Sequence, residues 1–146
     1  AIFMGDAKTV HLKLAANAIT MSGNYQFEIA NVATAAGKVM VPVKEVKVFK
    51  ENVKPTFTKA ALATVTTITA TFSEAIASGS DNAFEVYKDG VKVAVTHTFV
   101  AGNTATITLT NPVVLTSTYT VKFVGTDLKD AAGNTAVSGN TVTMTK

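Results

Sequence analysis

The same order of residues occurs twice along this chain, and the earlier copy lacks its front half. Tyr25-Gln26-Phe27-Glu28-Ile29 aligns with Tyr119-Thr120-Val121-Lys122-Phe123, and Ala35-Ala36-Gly37-Lys38 with Ala131-Ala132-Gly133-Asn134. Val46-Lys47-Val48 aligns with Val142-Thr143-Met144, and Leu12-Lys13-Leu14 with Ile107-Thr108-Leu109. The offset wanders only between 94 and 97 positions, as loops of unequal length would make it. A period of roughly 95 residues is too long for a solenoid unit and suits tandem independent domains. Residues 54–101 have no earlier counterpart. The expectation is therefore residues 1–53 as the C-terminal half of one β-sandwich repeat and 54–146 as a complete domain, within a longer multidomain protein. The polar stretch Lys50-Glu51-Asn52-Val53-Lys54-Pro55-Thr56 reads as the linker.

Within each copy the apolar residues alternate. Tyr25, Phe27 and Ile29 are spaced by Gln26 and Glu28; Ile68, Ala70 and Phe72 by Thr69 and Thr71; Tyr119, Val121 and Phe123 by Thr120 and Lys122. A period of two marks half-buried antiparallel strands, and abundant Thr and Val suit extended backbone. The complete unit is expected to hold strands near 56–60, 63–72, 83–88, 91–99, 104–110, 118–124 and 140–145. Asp89-Gly90 between two such runs is a hairpin turn, because both residues tolerate positive φ. Met4-Gly5-Asp6 and Ala101-Gly102-Asn103 read as equivalent turns in the two copies. Ser73-Glu74-Ala75-Ile76-Ala77 reads as a turn of helix or a loop. About seven strands at this spacing predict an all-β antiparallel sandwich. A half-sandwich in front of it would expose apolar strand edges and a naked core face.

Composition removes several functions. The chain has 146 residues and no cysteine, so disulfides and cysteine zinc sites are impossible. All 13 basic residues are Lys, with a net charge of +3. Without Arg, the preferred reader of phosphate and guanine, scattered Lys argues for solvated strand faces and against a nucleic-acid partner. No apolar run is long enough to span a membrane, and no signal-peptide pattern opens the chain.

Ala70-Thr71-Phe72-Ser73-Glu74-Ala75-Ile76, Ser117-Thr118-Tyr119-Thr120-Val121 and Leu128-Lys129-Asp130-Ala131-Ala132-Gly133-Asn134 together resemble the bacterial Ig-like domains of Bacillus-type surface-layer (S-layer) proteins. The resemblance covers residues 54–146, and residues 1–53 resemble its second half, with Lys38 where the pattern prefers Asn. It implies an Ig-like β-sandwich, an extracellular place at the bacterial cell surface and self-assembly into a lattice. Calcium dependence is often part of it. The implied partners are neighbouring copies or adjacent Ig-like domains, and cell-wall polymer through the parent protein. Related domains serve as spacers or as cell-wall- or carbohydrate-binding modules in adhesins and secreted enzymes, which is the alternative reading.

One constellation has ligand chemistry. Asp127, Asp130 and Asn134 offer hard oxygen atoms to calcium, with Glu51 as a further ligand of an interdomain site. The competing reading is a turn in which Asp and Asn bond their own backbone and Gly133 supplies positive φ. The earlier copy has Asn31, Thr34 and Lys38 there, without the charge calcium needs. No catalytic residues are expected. Glu74 and Glu85 lack a cleft and any sugar-stacking Trp, with Glu85 expected in solvent. His11 is expected to point outward and His97 to be partly buried, and two isolated His make a poor acid–base set. No nucleophile elbow or phosphate loop is present. Tyr119, and Tyr25 if its domain is complete, are expected to make a corner hydrogen bond.

Overall fold

The computed structural model describes residues 2–3, 10–79, 83–99 and 102–146, the side chains of residues 2, 3, 10, 11 and 97–99 excepted. The chain divides into two compact units, Ala1–Val53 and Lys54–Lys146. All regular elements among the described residues are strands.

The first unit holds β1 (Ile2–Phe3), β2 (Val10–His11), β3 (Gly23–Ile29) and β4 (Val43–Phe49). β1 pairs with β2, and β3 pairs antiparallel with β4, from Gly23 opposite Phe49 to Ile29 opposite Val43. The segment between β2 and β3 is tied to the end of the unit. Ile19 N–H donates to Asn52 Oδ1 (2.9 Å), Asn52 N–H to Ile19 O (2.9 Å) and Glu51 N–H to Ser22 Oγ (2.9 Å). Ile19 is the one buried hydrophobic side chain among this unit's described residues. Tyr25 and Phe49 meet edge to face, ring centroids 5.8 Å apart.

The second unit holds β5 (Phe57–Thr64), β6 (Thr67–Ile76), β7 (Phe84–Lys88), β8 (Val91–Val93), β9 (Val95–Phe99), β10 (Gly102–Leu109), β11 (Tyr119–Phe123) and β12 (Thr141–Thr143). They form two four-stranded sheets, ordered β5-β6-β10-β9 and β12-β11-β7-β8. Alternate residues point inward as the period of two requires. Phe57, Ile68, Ala70, Phe72, Ile107, Val86, Val121 and Phe123 are all sealed from solvent. Phe57, Phe72, Phe84 and Phe123 form the centre, with ring centroids 5.2–6.1 Å apart in mostly edge-to-face or tilted pairs.

Both sides of this sandwich are stitched. On one side the expected strand 91–99 is in fact two. Ala94 separates β8 from β9 and carries the chain from one sheet to the other. On the other side the last residues leave β12 and run parallel to β5, where Leu62 N–H donates to Thr145 O (2.8 Å) and Thr145 N–H to Ala60 O (2.9 Å). Two further expectations are corrected. Strand 56–60 does not stop before Ala61. It runs through Thr64, and the hairpin turns at Val65-Thr66, capped by Thr66 and Thr67 N–H bonds to Thr64 Oγ1. Ser73–Ile76 is not a helical turn but the end of β6, since Ser73 N–H is paired to Thr56 O (2.8 Å). Asp89 (φ 49°) and Gly90 (φ 84°) form the β7–β8 turn with both φ values positive. The turn expected at residues 4–6 lies outside the described residues, as does Ala101 of the turn at 101–103.

The two copies differ in one register. In the second unit Gly139 N–H donates to Phe123 O (2.8 Å) while Phe123 N–H donates to Asn140 O (2.9 Å). Two residues therefore oppose one, a β-bulge with its first residue a glycine at φ 91°. The bulge sets Val142 opposite Val121. In the first unit Val43 stands in the place of Gly139, no residue is inserted, and Val46 falls opposite Gln26 instead of Phe27. A slip of one residue turns alternate side chains to the other face. Val46 and Val48 are accordingly exposed, whereas Met144, the counterpart of Val48, is 5% exposed.

Candidate functional site

The acidic loop is built from the strand end outward. β11 ends at Phe123, and Leu128 is buried under the Ser78-Gly79 backbone. A Cβ on Gly79 (φ 152°) would stand 2.0 Å from Leu128 Cδ2, so the contact demands glycine. Lys129 exchanges backbone bonds with Ser78 (2.8 and 3.2 Å), which pins the loop to the end of β6. Asp130 is buried behind it. Its Oδ1 accepts the Asn134 N–H (2.9 Å) and its Oδ2 the Asn134 Nδ2 (2.8 Å). Burial acts most strongly and pushes the Asp130 carboxyl up. Bonds from the Asn134 side chain and from the Asn134, Gly133 and Ala132 amides outweigh it, and the carboxyl lies below its ordinary value. Asp127 is exposed.

The earlier copy makes the same backbone ring without the charge. Met40 N–H to Val32 O, Gly37 N–H to Thr34 O and Thr34 N–H to Lys38 O correspond to Ala136 to Leu128, Gly133 to Asp130 and Asp130 to Asn134. Gly37 and Gly133 both have positive φ, 81° and 93°. Thr34 Oγ1 accepts the Lys38 N–H (3.2 Å) where Asp130 serves Asn134. What the copies share is a turn closed by a side-chain oxygen. In this arrangement each Asp130 oxygen accepts one N–H from Asn134.

Of the remaining candidates, Glu74 has a carboxylate oxygen within 4.8 Å of one of Asp130, and the others lie elsewhere in the fold. Glu74 is in β6 and Glu85 in β7, on different sheets. Glu85 is not in open solvent as its alternation predicts. It is partly covered, accepting from Lys92 Nζ (2.6 Å) and Tyr87 Oη (2.8 Å), and these two bonds hold its carboxyl below the ordinary value. His97 pairs across from Ile107 in backbone register, and its side chain, like that of His11, lies outside the described residues. Tyr119 Oη accepts the Val114 N–H (3.1 Å), the corner bond. Tyr25 Oη donates to Met21 O (2.7 Å), so the first unit makes a corner bond as well.

One apolar surface stands out in the first unit. In the first unit a groove of about 340 Å³ is lined by Leu12, Leu14, Ile19, Tyr25, Phe27 and Phe49. Leu12 and Leu14 are 57% and 46% exposed, while their counterparts Ile107 and Leu109 are 0% and 5% exposed. The same sequence positions thus form the core of one unit and the surface of the other.

No helix among the described residues is long and apolar enough to cross a membrane. No curated protein matches the chain. Two solved structures are similar. The N-terminal part of the bacterial S-layer protein SbsC is 25% identical with a TM-score of 0.52, over 64% of this chain and 23% of that one. The S-layer protein rSbsC(31-844) is 26% identical with a TM-score of 0.56, over 65% of this chain and 14% of that one. This chain therefore spans less than a quarter of either structure's length. A sequence-family model for the bacterial Ig-like domain matches residues 26–145. With a sandwich of two antiparallel sheets beneath that match, the chain belongs to the bacterial Ig-like domain family.

Proposed function

We propose that this chain is a non-catalytic structural segment of a bacterial surface-layer protein, placed outside the cell and working through contacts with neighbouring copies or adjacent Ig-like domains. The observation that carries the reading is the similarity in sequence and fold to S-layer fragments. The construction of the second unit supports it. A sandwich stitched on both sides by Ala94 and by Thr145 is a stiff block with few free edges, which suits a spacer of fixed dimension. The first unit is the second half of a further repeat in this reading, supported by the backbone ring of residues 32–40 that duplicates 128–136. Calcium belongs to the proposal only as a clamp at Asp127, Asp130 and Asn134, supported by their hard oxygen atoms.

The test is the mass of the full chain in solution by light scattering, with excess calcium and then with chelator. Growth beyond monomer is expected. Growth that follows calcium moves the acidic loop from turn to ligand. A monomer indifferent to both overturns self-assembly by this segment and leaves an Ig-like spacer of an adhesin or secreted enzyme.

A further inference from the structure

The edge strands of the second unit are not alike. β5 is covered where Leu62 N–H donates to Thr145 O and Thr145 N–H to Ala60 O. β12 and β8 have three residues each, and β8 carries Lys92, bound to Glu85. β9 has five, Val95-Thr96-His97-Thr98-Phe99, with no Lys, Pro or Gly among them. It runs opposite β10 without a register shift, and among the described residues no strand pairs with its other side. Short length, Lys, Pro, bulges and cover are the means by which natural sheets keep an edge from pairing. β5, β12 and β8 each show one of them, and β9 shows none.

We infer that β9 pairs antiparallel with the β9 of a second copy, about a two-fold axis at His97, so that two sheets continue into one. The backbone fixes what the open side offers. Thr110 N–H donates to Ala94 O and Leu109 N–H to Thr66 O, so the even-numbered residues of the β9–β10 ladder bond each other and the odd-numbered ones point away. On β9 the N–H and C=O groups of Val95, His97 and Phe99 therefore face outward. The segment is also its own complement. Turned end over end about His97, it sets Val95 opposite Phe99, Thr96 opposite Thr98 and His97 opposite itself. A β-branched residue against an aromatic one and Thr against Thr are favourable cross-strand pairs. Odd residues meet odd residues, so each outward N–H meets an outward C=O. β10, behind β9, carries no charged residue, so no like charges meet where the copies join. Such a contact is isologous and closes at two copies.

The test uses the full chain at up to millimolar concentration, with mass read by sedimentation equilibrium and amide exchange by NMR. A dimer is expected, with the Val95, His97 and Phe99 amides slowed as concentration rises. Thr96→Lys with Thr98→Lys puts like charges directly opposite at both Thr pairs and is expected to weaken the dimer about ten-fold or more. Thr96→Glu with Thr98→Glu does the same, and an equimolar mixture of the two double variants is expected to restore dimers. Thr96 is exposed, and positions 96 and 98 stand in register with Thr108 and Thr106 on the outer face, so these variants keep their fold. His97→Pro is a second check. It removes an outward donor and no bond to β10, as an edge position allows, and is expected to give a monomer with an unchanged circular dichroism spectrum. An unchanged mass in the Lys variant, no recovery on mixing, or a dimer whose odd-numbered β9 amides exchange freely overturns the inference. The inference rests on the reading that copies of this chain meet, and the two fail differently. A monomer at every concentration removes both, whereas assembly that persists in the Lys variant removes only this pairing.

Discussion

Gly139 decides which way the last strand faces, and its replacement by Ala measures that decision. Its φ of 91° is a conformation that L side chains rarely adopt. A Cβ there meets nothing within 4 Å, so packing contributes no penalty. The cost is conformational, about 1–2 kcal/mol for a non-glycine residue held left-handed. If the strand escapes by dropping the bulge, Val142 and Met144 turn outward and Thr141 and Thr143 turn in. The lost burial of Met144 alone is then worth about 1.5–3 kcal/mol. Either route destabilises the second unit by about 1–3 kcal/mol, or roughly 4–8 °C in Tm for each kcal/mol in a domain of this size. Thermal and urea unfolding of the full chain by circular dichroism gives the magnitude, and the Met144 methyl resonance separates the routes. Gly139→Asn should cost less than Gly139→Ala, because Asn tolerates positive φ better. The reasoning is refuted if Ala changes stability by less than about 0.5 kcal/mol, or if Asn costs as much as Ala. In the first unit the reciprocal change, Val43→Gly, is expected to admit the bulge and bring Val46 opposite Phe27 in cross-strand NOEs.

Tyr119→Phe leaves the Val114 N–H of a part-buried bond without its acceptor and is expected to cost about 1–2 kcal/mol in urea unfolding, whereas Tyr25→Phe, whose bond is exposed, should cost less than half of that. Asp130→Thr reproduces the earlier copy's residue, keeps one of the two acceptors and is expected to lose about 1–2 kcal/mol by the same measurement. Because the folded Asp130 carboxyl lies below its ordinary value, its contribution is complete above the unfolded-state value and fades as pH falls through the folded one. The wild-type denaturation midpoint should drop over that acidic window more steeply than that of Asp130→Asn. Gly79→Ala drives a Cβ into Leu128 and is expected to cost about 2 kcal/mol or more; an unchanged Tm would show that the loop yields freely.

Much of this molecule can be read from local pattern. The alternation of Tyr119, Val121 and Phe123 against Thr120 and Lys122 gives β11 and its inward face, and Asp89-Gly90 gives the β7–β8 hairpin. Both are decided by residues close in sequence. The missed features depend on distant partners. Val91–Phe99 reads as one strand because every residue in it favours extension, and only the closure of two sheets places a corner at Ala94. Ser73–Ile76 has the composition of a helical turn, yet the backbone of Thr56 captures it as strand. Tertiary pairing overrides weak propensity there. For the acidic loop, residue types alone leave calcium and turn open. Geometry adds that Asp130 and Asn134 face each other, donor to acceptor.

The two units show how far one repeat's pattern can be taken without its partners. Val46 and Val142 occupy the same place in the sequence pattern, and so do Val48 and Met144, yet their surroundings are opposite. Two physical differences are responsible. The second unit has a glycine where the bulge must form, and it has β5, β6 and β7 to reward an inward-facing last strand with a core. The first has Val43, a β-branched residue ill suited to positive φ, and no such strands among its described residues, so its hairpin runs straight and its valines meet solvent. Apolar patterning alone therefore does not fix a register in this fold. The register is fixed when a glycine permits the extra residue and a covering sheet makes the resulting face the favourable one. By that reasoning Val43→Gly should shift the register of β4 less completely than Gly139 sets that of β12, because among the described residues of the first unit no covering sheet rewards the turned face.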